Sequence, residues 1–151
     1  MMADVGRPLA APAPLPDSKA FPMPTAETLE KFIARVESNF HAEALAEFYT
    51  EDSSMQENQS PPRAGLAANI ARERATLARA SAVRSQCVRP ALVQGDHVAI
   101  RWIFEFDWLD GSSNRIEEIA WQRWSGERIV AEQFFYDPVQ MAPKKPAAPA
   151  P

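Results

Sequence analysis

The chain has 151 residues, 46% of them hydrophobic and 24% charged, with a formal charge of −4. That suits one globular domain able to bury roughly 68–70% of its unfolded surface, and the acidic balance is a poor footprint for nucleic acid. The single cysteine, Cys87, excludes an intrachain disulfide, and with only His41 and His97 beside it a structural Cys/His zinc site is excluded too.

Proline marks the domain boundaries. Eleven of the 14 prolines lie in residues 1–24 and 138–151. Proline donates to neither ladder nor helix, so residues 1–24 and 140–151 read as disordered tails around a folded unit at 25–139. The start lacks a signal-peptide layout, and no apolar run of about 18 residues could span a membrane. A cytoplasmic protein with no membrane or nucleic-acid partner is expected.

Three helices open the folded unit. Thr25 is placed to cap the first, whose Leu29, Phe32, Ile33 and Val36 recur as one apolar stripe. Asn39 reads as its stop. A short second helix runs over about 41–49. The polar stretch 50–60 and Pro61-Pro62 read as a long loop or a short strand. Good helix formers over about 64–80 predict the third helix, with Leu66, Ile70 and Leu77 as its stripe and Glu73 at the stripe's centre.

Four strands follow, at about 82–93, 97–108, 115–124 and 128–137, separated by turn signals. Helices first and a strand meander after predict an α+β domain, with helices on one face of an antiparallel sheet.

Period-two alternation then divides the side chains. One face carries Trp102, Phe104, Phe106, Phe134 and Tyr136, and with them Glu118, Gln122 and Glu132. So many acids and amides facing a core would cost several kcal/mol unless paired or wet. A partly hydrated pocket resolves the conflict; the competing reading pairs the acids with Arg72, Arg74 or Arg84. The opposite face carries Ile103, Ile119, Trp121 and Phe135, too apolar for a solvated surface, which predicts a homodimer through it.

The order of elements, LAEFYTEDSSMQEN after the second helix, the hairpin WQRWSGERIV and the ending EQFFYDP together resemble the nuclear transport factor 2-like superfamily, and within it the SnoaL-like, polyketide cyclase-like and ketosteroid isomerase-like domains. The resemblance implies a cone: a strongly curved, mostly antiparallel sheet closed by three N-terminal helices, usually dimeric through its outer face. It also implies a base position after the second helix, where Glu57 stands. The oxyanion donors of the steroid isomerases map to Val36 and Ala120, which cannot donate. The catalytic set of the related epoxide hydrolases maps to Phe104, Trp102, Phe134, Met55 and Glu57, and the acid–base aspartate of the cyclases to Phe134.

Two functions compete. One is a binding module for a small apolar or amine-bearing molecule, since an acidic pocket lined by aromatics suits a cation. Its candidate ligand-binding residues are Met55, Glu73, Trp102, Phe104, Gln122, Phe134 and Tyr136. The other is an isomerase or cyclase with Glu57 as general base and Glu118 or Glu132 as proton donor. Neither needs a cofactor. No histidine is expected on the face of the acids, so a metal would have carboxylates alone, and none is assigned.

Overall fold

The computed structural model describes residues 24–151; apart from Pro24, the expected tail at 1–24 lies outside the described residues. The elements are α1 (Ala26–Glu37), α2 (His41–Phe48), β1 (Tyr49–Glu57), β2 (Arg63–Ala64), α3 (Leu66–Leu77), β3 (Ala80–Gln94), β4 (His97–Trp108), β5 (Ser113–Ser125) and β6 (Arg128–Phe135). A 3-10 turn follows at Pro138–Met141. The six strands form one sheet in the order β2-β1-β6-β5-β4-β3. Its ladders are antiparallel except for β1, which runs parallel to β6.

The predicted start of α1 is found. The Thr25 hydroxyl accepts from the Thr28 amide at 3.1 Å, satisfying one of the donors that a helix start leaves unpaired. The Thr25 amide in turn donates to Glu127 Oε1 at 3.0 Å, tying α1 to the β5–β6 hairpin. All four residues of the α1 stripe are buried. Phe32 lies at the centre of an aromatic cluster, with ring centroids 5.5 Å from Phe48, 6.2 Å from Tyr49, 6.5 Å from Trp102 and 6.0 Å from Trp124. Val98, Ile100, Trp124 and Ile129 complete this sealed end of the cone.

Three expectations need adjusting. The stretch read as loop or short strand is the nine-residue β1. Its side chains are too polar to announce a strand, but β6 and β2 satisfy its backbone on both sides. The expected α3 stripe is only partly buried, and the buried residue of that helix is Asn69, because a cavity rather than a solid core lies beneath it. Contacts also continue past residue 139. Gln140 Oε1 accepts from the Glu117 amide at 2.6 Å, Asn114 Nδ2 donates to the Gln140 carbonyl at 3.0 Å, and Ser113 pairs with Lys144. Residues 140–144 therefore pack along the start of β5.

No helix among the described residues is long and apolar enough to cross a membrane.

Candidate functional site

Along β4 the inward side chains change from sealed to open. Val98 and Ile100 are fully buried and Trp102 and Phe106 nearly so, while Phe104 and Trp108 are partly exposed. The curved sheet and the helices diverge in that direction and leave a cavity of about 680 Å³. Its walls include Met55 and Glu57 from β1, Arg63 from β2, Glu73 from α3, Trp102 and Phe104 from β4, Glu118 from β5, and Glu132 and Phe134 from β6, with Tyr136 just beyond. The structure thus gathers all the predicted site residues around one space except Gln122, which is fully buried behind Glu132.

The four glutamates differ in what holds them. Glu57 has both oxygens occupied: Arg63 Nη2 donates to Oε1 at 3.1 Å and the Tyr136 hydroxyl to Oε2 at 2.8 Å. Burial and the adjacent carboxylate push the Tyr136 phenol up to about 12, so it stays a donor. Glu132 also has both occupied. Gln122 Nε2 donates to Oε1 at 2.7 Å, the Tyr49 hydroxyl donates to Oε2, and Gln122 Oε1 accepts from Trp124 Nε1 at 3.0 Å. This buried chain is satisfied throughout, which is what makes it tolerable. Burial still raises Glu132 to about 7, against the pull of its two donors.

Glu73 is held at one oxygen. His41 Nδ1 lies 3.1 Å from Glu73 Oε1. His41 Nε2 lies 2.7 Å from Ser85 Oγ, which donates to Asn39 Oδ1 at 2.8 Å. The serine hydroxyl, already donating to Asn39, can only accept from Nε2. The His41 ring also packs edge-on against Phe104, 5.4 Å between centroids. No histidine is expected on the sheet face of the acids; the one that reaches Glu73 comes from the first turn of α2.

Glu118 is held at neither oxygen. Its carboxyl makes no hydrogen bond or ion pair among the described residues, and burial followed by the charges of Glu132, Glu57 and Glu73 raises it to about 8. Desolvation and like charge both disfavour the ionised form, so at neutral pH Glu118 is mostly a protonated acid facing the cavity.

The competing pairing scheme is not found. Arg84 turns outward to Glu105 at 3.1 Å and Asp107 at 2.8 Å. The Glu57 and Glu73 partners are instead Arg63 and His41. Sequence reasoning missed Tyr49, Arg63 and His41 as site residues. They approach their partners from separate elements, and only for Arg63, six residues from Glu57, was there a local signal. Val36, mapped to an oxyanion donor, lines the cavity without a polar group, and Ala120, mapped to the other, is buried in the core. Cys87 is buried in β3, which raises its thiol. Among the described residues no group of three or more His, Cys, Asp or Glu side chains is arranged to hold a metal ion.

No family model matches the chain, and no curated protein matches it in sequence. Solved structures do match. A ketosteroid isomerase-like-fold protein from Catenulispora acidiphila, crystallised in complex with trimethylamine, aligns with TM-score 0.63 and 19% identity over 77% of this chain and 89% of that one. A candidate SnoaL-like polyketide cyclase from Jannaschia sp. aligns at 0.63 and 11% over 76% and 89%. An LEH-like epoxide hydrolase from M. tuberculosis aligns at 0.63 and 12% over 76% and 84%. The fold is the nuclear transport factor 2-like α+β cone that the resemblance implied. At these identities the likeness extends to fold and not to chemistry.

Proposed function

We propose that this protein, acting in the cytoplasm, binds a small apolar, amine-bearing molecule in the cone, with Glu118 as its ionic anchor and Trp102, Phe104 and Phe134 around its body. The observation that carries this reading is the unpartnered Glu118 carboxyl in an aromatic cavity. An ammonium group entering there pairs with the carboxylate formed when Glu118 gives up its proton, and cation–π contact with the rings adds about 0.5–2 kcal/mol. The trimethylamine bound by the Catenulispora protein of the same fold is in keeping with such a ligand.

Binding is coupled to a proton. The free acid is mostly neutral below its value of about 8, whereas the complex needs it ionised, so each ammonium bound at pH 6–7 expels close to one proton. Affinity then rises about tenfold per pH unit on the approach to pH 8 and levels off above it. Calorimetric titration with benzylamine tests this. Wild type should show that slope and proton release, and Glu118→Gln should lose both together with most of the affinity. Equal binding by the two proteins contradicts the proposal.

The alternative is an isomerase or cyclase with Glu57 as general base and Glu118 or Glu132 as acid. Geometry supports it less. Glu57 and Glu132 have both oxygens engaged, and the positions mapped to oxyanion donors hold Val36 and Ala120. Oxyanion stabilisation is often the largest catalytic contribution.

A further inference from the structure

The four cavity glutamates offer eight carboxyl oxygens, and those already engaged constrain the ligand further. Each oxygen of Glu57 and Glu132 already accepts one hydrogen bond. Among the described residues, neither oxygen of Glu118 accepts any, and Glu73 Oε2 accepts none. The oxygens with no hydrogen bond thus belong to two residues on different walls, α3 and β5. Both side chains line the same cavity.

Their surroundings differ. Glu73 has His41 Nδ1 at 3.1 Å from Oε1, Glu118 has no hydrogen-bond or ion-pair partner among the described residues, and Glu132 is held by the neutral donors Gln122 and Tyr49. Arg72 and Arg79 line the same cavity. Open hydrogen-bond acceptors are thus offered to a cationic head from two directions. A quaternary or tertiary ammonium pairs with the Glu118 carboxylate and leaves the Glu73 oxygen unmet. A group with several N–H donors satisfies both.

Resting on the amine-binding reading above, we propose that the ligand's cationic head is a primary or secondary ammonium, its N–H donors divided between Glu118 and Glu73. Glu73 is then a specificity-determining residue and His41 a positioning residue. The His41–Ser85–Asn39 chain fixes the imidazole at both nitrogens, which keeps the Glu73 carboxylate from turning to solvent.

Three probes share one aromatic body and one positive charge: benzylamine, N,N-dimethylbenzylamine and benzyltrimethylammonium. Their N–H counts as cations are three, one and none. Added methyl groups increase the apolar area buried, so a merely greasy, anionic cavity would bind the methylated probes as well or better. The proposal expects the reverse order, with benzylamine about tenfold or more ahead of benzyltrimethylammonium by calorimetry at pH 8. Glu73→Ala should erase that preference, bringing the three probes to within about twofold of one another. His41→Phe should weaken benzylamine selectively, and Glu73→Gln, which keeps an acceptor oxygen, should retain part of the preference. The wild-type series needs no variant to fold. Equal affinities, or tighter binding of the methylated probes, overturn this inference and leave amine binding standing. Absence of binding by all three overturns both.

Discussion

Glu118 and Glu132 stand well above the ordinary carboxylate value of 4.5, at about 8 and about 7, and this has a consequence for stability. A raised value means that the folded state holds the proton more tightly than the unfolded chain does. The stabilisation is complete below about pH 4.5 and is lost as pH rises, through about 7 for Glu132 and about 8 for Glu118. The protein should therefore lose stability between pH 5 and 8, by roughly a few kcal/mol in total. Glu118→Gln keeps the shape and removes the charge. Urea unfolding should find this variant close to wild type at pH 5 and more stable by about 1–3 kcal/mol at pH 8. Parallel behaviour of the two proteins across that range would show that Glu118 ionises freely in the fold. The facing of these acids is legible in the sequence because alternation along a strand is strict. Their partners are not: Tyr49 and Glu132 are 83 positions apart, and His41 and Glu73 are 32 apart on different helices. No local period encodes such meetings.

At the scale of elements, β4 and β5 are readable from alternation and turn residues, and α1 from its stripe and cap. β1 is not, since its polar residues show no apolar period and its pairing is settled by β6 and β2. The C-terminal segment was obscured in a similar way. Its proline-rich composition signals a tail, yet Gln140 and Lys144 find unpaired backbone at the start of β5. Met141 and Pro143 then form part of the cavity wall. Removing residues 145–151 should leave the melting temperature within about a degree of wild type. Removing 138–151 strips the Glu117 amide of its acceptor and opens the wall. It should cost about 1–3 kcal/mol and weaken benzylamine binding. Equal melting of the two truncated chains would mean that the docking contributes nothing.

For the molecule as a whole, the outer face of the sheet carries Ile119, Trp121 and Phe135 at 40%, 47% and 39% exposure. Around them run charge ladders such as Arg101–Glu117 and Arg115–Glu117, at 3.2 and 2.6 Å. We propose that a second copy covers this face. Light scattering should give about twice 16.8 kDa, and Trp121→Glu should yield monomer by placing a charge in the apolar centre. A monomeric wild type would contradict the assembly while leaving the cavity untouched. The proposed role of Glu118, an unpartnered acid that pairs with a cation on binding, is tested most directly by carboxyl-resolved NMR titration. Glu118 should titrate near 8 in the free protein and fall by more than about one unit when benzylamine is bound. A value near 4.5 in the free protein, or one that benzylamine does not move, would contradict it.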